Sequence, residues 1–168
     1  MSSISQRVLV FCQWLQTTSI GTAIRESVWQ FAVIESVHIL ALVGVVAGAA
    51  VLDLRLLGIV ATDRPVRQVA NQMIPLMIFA FAVNAATGVL MFWSDPLRFY
   101  RSILFWVKLA LLALAGLNAL VFHFTLYRRL DQWDKVGSRP PTAVRITAAT
   151  SLTLWVLIVF AGRGIAYL

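Results

Sequence analysis

The sequence predicts an all-α protein, a four-helix transmembrane bundle with a short amphipathic helix at its N-terminus. Three observations lead to this prediction. Of 168 residues, 60% are hydrophobic and only 12% are charged, whereas soluble domains average about 25% charged residues. The mean hydropathy is +0.84. Four apolar runs reach the length of about 20 residues that a helix needs to cross a bilayer. The chain therefore needs lipid as its solvent.

The four apolar runs are separated by charged residues or by Pro and Gly, which interrupt membrane helices. They place the spans at about 28–52, 73–93, 103–126 and 143–161. Together these spans form one membrane domain, residues 22–168.

The segment 1–21 precedes the membrane domain and has a different pattern. Its apolar residues recur at helical spacing among polar ones: Ile4, Val8, Phe11, Cys12 and Leu15. This pattern predicts an amphipathic helix on the membrane surface. A break near Gly21 follows, and Thr22 is the expected N-cap of the helix that becomes the first span.

The 14 Lys and Arg residues give a net charge of +7. They lie in short clusters between the apolar runs rather than in one stripe, which argues against nucleic-acid binding. Six lie on the side of the N-terminus, and eight lie at the opposite side, which we call the basic end: Arg55, Arg64, Arg67, Arg128, Arg129, Lys135, Arg139 and Arg145. Because dense clusters beside span ends orient membrane proteins, the basic end is predicted to face the cytoplasm and both termini the outside.

Cys12 is the only cysteine. The chain therefore has no intramolecular disulfide and none of the cysteine motifs of covalent haem, iron-sulfur clusters or structural zinc.

The two histidines, His38 and His123, are the main functional candidates because both lie inside predicted spans, where ionisable groups are costly. A neutral imidazole in a helical bundle is a good ligand for haem b, which needs no cysteine. Small residues on the same helix faces are expected to leave room for the flat macrocycle: Ala41, Gly48 and Ala49 near His38, and Gly116 and Ala119 near His123. The alternative is that these residues form close helix contacts and each histidine bonds to a neighbouring helix.

The two histidines differ in depth. At 1.5 Å per residue, His38 lies roughly 13 Å from the N-terminal side and His123 roughly 27 Å from it. The two rings are therefore expected to lie well apart with different partners. Glu35 or a cation is expected near His38, and a fourth-span Thr or Ser, Met77 or a separate cofactor near His123.

Two further residues extend these candidate sites. Met77, like Met73, matches His123 in depth, so His/Met ligation of haem or copper is conceivable. Glu35 shares a helix face with His38 and could orient its ring or help bind a cation. The candidate metal ligands are therefore His38, Glu35 and His123; Glu35 could instead pair with Arg25, Lys108 or Arg163.

Four polar residues are given structural roles. Asp53 and Arg55 are expected to anchor the end of the first span and to cap or pair with the next loop. Asn84 and Asn118 are expected to form hydrogen bonds between helices.

Three segments carry a resemblance to known proteins: Glu35-Ser36-Val37-His38-Ile39-Leu40-Ala41, Leu52-Asp53-Leu54-Arg55-Leu56-Leu57-Gly58, and Lys108-Leu109 through Asn118 to Phe122-His123. The chain resembles a family of uncharacterised bacterial four-helix membrane proteins and, more distantly, the membrane domain of copper resistance protein D. The resemblance implies four spans and an inner-membrane location. The copper-handling relatives would imply His38, His123, Met73 and Met77 as ligands.

The leading functional hypothesis is a membrane subunit that binds haem b, or haem plus quinone, and passes electrons within a larger assembly of membrane proteins. A structural or assembly subunit without a cofactor is the second hypothesis, and copper or other cation handling is the third. The sequence has no nucleophile with a base, no phosphate-binding Gly loop and no paired carboxylates that would indicate an enzyme acting alone.

Overall fold

A computed structural model describes residues 3–134 and 140–165, and every regular element in these ranges is helical. The predicted Lys135 and Arg139 of the basic end lie outside the described residues. The α-helices in the described ranges are α1 (Ser3–Thr17), α2 (Ser19–Glu26), α3 (Gln30–Leu57), α4 (Val66–Ser94), α5 (Pro96–Arg101), α6 (Ile103–Val121), α7 (Leu130–Trp133) and α8 (Thr142–Gly164). A π-helical turn (Phe122–Leu126) and a 3-10 turn (Tyr127–Arg129) connect α6 to α7.

Four helices are long and apolar enough to cross a membrane: α3, α4, α6 with its extension to Thr125, and α8. The predicted all-α fold with four membrane helices is confirmed.

The four spans follow one another in space as α4, α3, α8 and α6. Helix α3 contacts α4 extensively and also contacts α8, whereas α6 contacts mainly α8 among the spans. No residue of α6 is buried. At the N-terminal end, the rings of Phe92, Phe99 and Phe105 connect α4, α5 and α6, with centroids 5.6–6.2 Å apart. Helix α6 is thus an edge helix of the bundle.

Helices α3 and α4 extend beyond the apolar runs that indicated the spans. Helix α3 ends at Leu57 and is capped by Gly58, whose φ of 77° is left-handed and favours glycine. The N–H groups of Gly58 and Ile59 bond back to carbonyls of the last turn. Helix α4 begins at Val66, and its first turns carry polar residues, Arg67, Gln68, Asn71 and Gln72, beside the buried apolar ones. Hydropathy marks only the part of a helix inside hydrocarbon, so polar helix ends lie outside the predicted limits.

At the N-terminal end, Thr18 connects α1 and α2. Its hydroxyl caps α2 by accepting a bond from the N–H of Gly21 at 3.4 Å, and it also accepts the indole N–H of Trp93 at 2.8 Å. The expectation that Thr22 caps the helix of the first span was wrong, since Thr22 lies inside α2 and the first-span helix α3 begins only at Gln30. A Cβ on Gly21 would come within 2.9 Å of the carbonyl oxygens of Leu15 and Trp93, so glycine permits this close contact with α4.

Two other residues hold α1 and α2 against the bundle. Arg25 donates to the carbonyls of Gln16 and Ser94 at 3.3 and 3.2 Å. Cys12 is 1% exposed, and burial raises the pKa of its thiol. Helix α1 still presents exposed apolar side chains: Val10, Phe11 and Trp14. It therefore docks on the bundle and keeps an apolar surface suited to the membrane interface.

At the basic end, buried apolar residues form the main core: Leu52, Leu56, Val66, Val69, Ala70, Leu130, Val144 and Ala148. Asp134 lies beside this core. Its two carboxylate oxygens accept the N–H groups of Val66 and Arg67 at 2.7 and 2.9 Å. These N–H groups open α4 and have no partner within the helix, so Asp134 caps α4 across 68 residues of sequence.

Candidate functional site

His38 lies in the third turn of α3, on the face that meets α4. Its ring is half-buried and lies against Gly88, where a Cβ would come within 3.3 Å of Cε1. A side chain at position 88 would therefore press on the imidazole. The absence of a side chain on Gly88 lets α4 approach the ring closely.

The hydrogen bonds of His38 determine which ring nitrogen carries a proton. Nδ1 lies 3.0 Å from the carbonyl oxygen of Asn84 and 3.0 Å from the hydroxyl of Thr87. The Asn84 carbonyl can only accept, so the pairing requires a proton on Nδ1. The Thr87 hydroxyl has its own acceptor at 2.8 Å, the carbonyl of Val83. In the neutral ring, Nε2 is then the nitrogen with a free lone pair.

Asn84 also bonds in the opposite direction. Its side-chain amide donates to the carbonyl of His38 at 2.9 Å, so each of the two residues contributes a bond between α3 and α4. Asn118 makes a comparable bond between α6 and α8, donating to the carbonyl of Thr147 at 3.2 Å.

The face of α3 that continues from His38 is filled by α4. A Cβ on Gly44 would come within 3.2 Å of the Cβ of Ala80, and one on Gly48 within 2.6 Å of Cγ of Met77. Ala41 and Ala49 on the same face are buried. The expectation that Ala41, Gly48 and Ala49 leave room for a macrocycle beside His38 was wrong, because this face of α3 is in close contact with its neighbours and Met77 fills the space at Gly48.

Lys108 brings a positive charge to the same region. Its side chain runs along α8, where its Nζ would lie 3.3 Å from a Cβ on Gly162. Its charge acts electrostatically on His38. Glu35, one turn before His38, is partly exposed. This region therefore combines an oriented imidazole with a nearby cation.

His123 lies in the π-helical turn at the other end of the bundle and is exposed. Its ring stacks on Tyr127, with centroids 5.5 Å apart and planes at 14°, and meets Phe124 edge-on at 5.3 Å. The expected partners from the fourth span and Met77 were wrong for this ring. π-helical turns are frequent at functional sites, and His123 lies within such a turn.

The structure does not bring the candidate ligands together. Met77 packs against Gly48, while His123 stacks on Tyr127. Within the described ranges, no group of three His, Cys, Asp or Glu side chains is placed to hold a metal ion.

Asp53 and Arg55 are both buried near the end of α3, with 6% and 2% exposure. The Arg55 side chain donates from Nε to the carbonyl of Arg64 at 2.9 Å, which fixes the loop after α3. The Asp53 carboxyl faces α8, where it interacts with the hydroxyl of Ser151.

Sequence reasoning missed three contributors: Thr87, Gly88 and Asp134. Thr87 and Gly88 follow Asn84 within about one helical turn and thus share its side of α4, which is a usable sequence signal. Asp134 lies in a polar loop, and the sequence around it gives no signal of its capping role.

The comparisons with known proteins identify the family and no reaction. No curated protein and no solved structure matches the chain, and nothing links it to copper resistance protein D. The sequence profile of a family of unknown function, DUF6644, matches residues 11–168. The protein thus belongs to the DUF6644 family.

Proposed function

We propose that the protein is a membrane subunit of a larger electron-transfer assembly and that it binds haem b through His38. The supporting observation is the bond from Nδ1 of His38 to the carbonyl of Asn84. Histidines that bind metals almost always donate their other ring N–H to a carbonyl, carboxylate or water, which fixes the tautomer and the ring orientation. His38 has this arrangement, with Nε2 as the nitrogen for iron.

The donor chemistry around His38 fits a haem in two respects. His38 supplies a neutral imidazole, and Lys108 supplies a positive charge that suits the negative propionate groups. Bound haem would supply a one-electron carrier within the membrane. The macrocycle does not lie along the α3 face between Gly44 and Gly48, because α4 occupies that face.

A second ligand from His123 is not part of this proposal. The two histidines lie at opposite ends of the bundle, and each ring has its own partners. The matched pair of variants His38→Ala and His123→Ala therefore tests the assignment.

The test is the reduced-minus-oxidised visible spectrum of protein purified from haem-supplied cells. We expect haem absorption, with a Soret band that shifts on reduction, in the unmodified protein and in His123→Ala, and its loss in His38→Ala. Asn84→Ala should keep the haem bands, because the backbone carbonyl that bonds to Nδ1 of His38 remains in this variant. A folded but colourless protein, or His38→Ala with unchanged bands, would refute the proposal.

A structural or assembly subunit without a cofactor is the second candidate. The observation that favours it is that His38 and Asn84 cross-link α3 and α4 by reciprocal bonds at 3.0 and 2.9 Å. For this candidate, His38→Ala lowers stability in a colourless protein. Copper or cation handling has no comparable support among the contacts described here.

For location, we propose a bacterial inner membrane with the basic end in the cytoplasm. The exposed Arg64, Arg67, Arg128 and Arg145 at that end support this orientation. Introduced cysteines test it in a Cys12→Ser background. Arg64→Cys should react with a membrane-impermeant maleimide only after the membrane is opened, and Gln13→Cys should react in intact spheroplasts. The reverse pattern would overturn the orientation.

A further inference from the structure

Asp53 is an acidic side chain within a membrane helix and is almost fully buried, with 6% exposure. Its Oδ2 atom is buried and has no hydrogen-bond partner in the described parts of the chain. The residue lies four positions before the end of α3 at Leu57, about 6 Å along the helix axis at 1.5 Å per residue. The carboxyl is thus close to the basic end but shielded from solvent.

Among the side chains that the structure describes, no cation forms an ion pair with Asp53. On its own helix, Arg55 directs Nε to the carbonyl of Arg64. Helix α8 presents the Ser151 hydroxyl to the carboxyl, and its nearest charged residue, Arg145, is exposed. On α4 the only charged residue is Arg67, at the exposed start of the helix. Within residues 3–134 and 140–165, the carboxyl therefore has a hydroxyl as its neighbour and no ion pair.

A carboxylate in this position would be costly, because a buried charge without a partner loses its hydration and gains no compensating attraction. A metal cation is not the natural partner. Hard cations such as Mg²⁺ and Ca²⁺ take six or more oxygen ligands, whereas one carboxyl and one hydroxyl meet here, and no three ligating side chains cluster in the described residues. A single proton removes the charge without any further ligand.

We infer that Asp53 is a proton-binding site inside the membrane domain, which holds one proton on its carboxyl and exchanges it with the aqueous phase at the basic end. The exchange is a simple dissociation, in which the neutral acid gives a carboxylate and a proton that passes to water. The site is separate from His38 and does not depend on haem binding.

Infrared difference spectroscopy of the purified protein in lipid tests this inference, with the proton as the probe. Exposed carboxyl groups lose their protons near pH 4. At neutral pH we expect one C=O stretching band of a protonated acid, which shifts in D₂O, disappears when the pH is raised and is absent in Asp53→Asn. Ser151→Ala should keep the band and shift it to higher wavenumber, because the carboxyl loses a hydrogen bond.

Two controls keep the test decisive. Asp63→Asn and Glu35→Gln should leave the band in place, which assigns it to Asp53 rather than to another carboxyl. If Asp53→Asn does not fold, isotope-labelled aspartate in the unmodified protein identifies the band as an aspartic acid. Absence of the band at every pH, its persistence in Asp53→Asn, or a carboxylate band that shifts with Na⁺ would overturn the inference. Loss of haem in any variant would leave this result unaffected.

Discussion

The α3–α4 pair and the α6–α8 pair are both antiparallel pairs of membrane helices, but they are held together differently. Between α3 and α4, small residues bring the backbones together and His38 and Asn84 exchange hydrogen bonds. Between α6 and α8, the side-chain hydrogen bond seen among the described residues joins the Asn118 amide to the carbonyl of Thr147, and α6 buries no residue. Since lipid is as apolar as the helices, packing and polar bonds drive association. The α3–α4 pair is therefore the rigid part of the domain and α6 the adaptable edge.

The largest expected contrast comes from adding the same side chain to a glycine in each pair. Gly48→Val places Cβ 2.6 Å from Cγ of Met77, whereas a Cβ on Gly116 meets nothing within 4 Å. We expect Gly48→Val to lower the free energy of unfolding by about 1–3 kcal/mol, a typical cost of overpacking. Gly116→Val should change it by less than about 0.5 kcal/mol.

Reversible unfolding in mixed detergent micelles measures the free energy of unfolding of both glycine variants. Both substitutions remove a helical glycine, so the difference between them isolates packing. Equal destabilisation would break the contrast between the two helix pairs.

A smaller effect is expected from the cap that stabilises the start of α4. Asp134→Ala leaves the N–H groups of Val66 and Arg67 without their acceptor and should lower the free energy of unfolding by about 1–2 kcal/mol. Amide hydrogen exchange should accelerate at these two positions. Asp63→Ala is the control, because the Asp63 side chain is 78% exposed. Unchanged exchange in Asp134→Ala would show that the cap does not stabilise α4.

The smallest effects concern the two asparagines. Asn84→Ala removes a 2.9 Å bond at the tight interface and should cost about 1 kcal/mol, and Asn118→Ala removes a 3.2 Å bond and should cost about 0.5 kcal/mol. The same unfolding assay measures both variants. A larger loss in Asn118→Ala would reverse our ranking of the two interfaces.

The sequence allowed the four membrane helices to be predicted because hydropathy is a local property of each segment. The same reasoning singled out Asn84 and Asn118 as polar residues within spans. It could not show that Met77 would fill the space beside Gly48, because that depends on the register between two helices. The surroundings of His123 were mistaken for a similar reason, since Tyr127 reaches it only through the π-helical turn.

The Thr22 error shows a different limit. Thr22 was expected to cap the helix of the first span, but that helix, α3, begins at Gln30, whose N–H donates to the Ser27 hydroxyl. Thr18, Thr22 and Ser27 are all acceptable capping residues, and local sequence cannot choose among them. Contacts distant in sequence contribute to the choice, since the indole N–H of Trp93 bonds to the Thr18 hydroxyl across 75 residues.

The long-range cap by Asp134 also has a consequence for biosynthesis. Helix α4 is made and inserted while residue 134, which completes its first turn, has yet to leave the ribosome. Until α6 has entered the bilayer and the following loop has folded back, the nascent α3–α4 hairpin keeps two open N–H groups at the headgroup level. Final closure of the domain is therefore coupled to insertion of the third span.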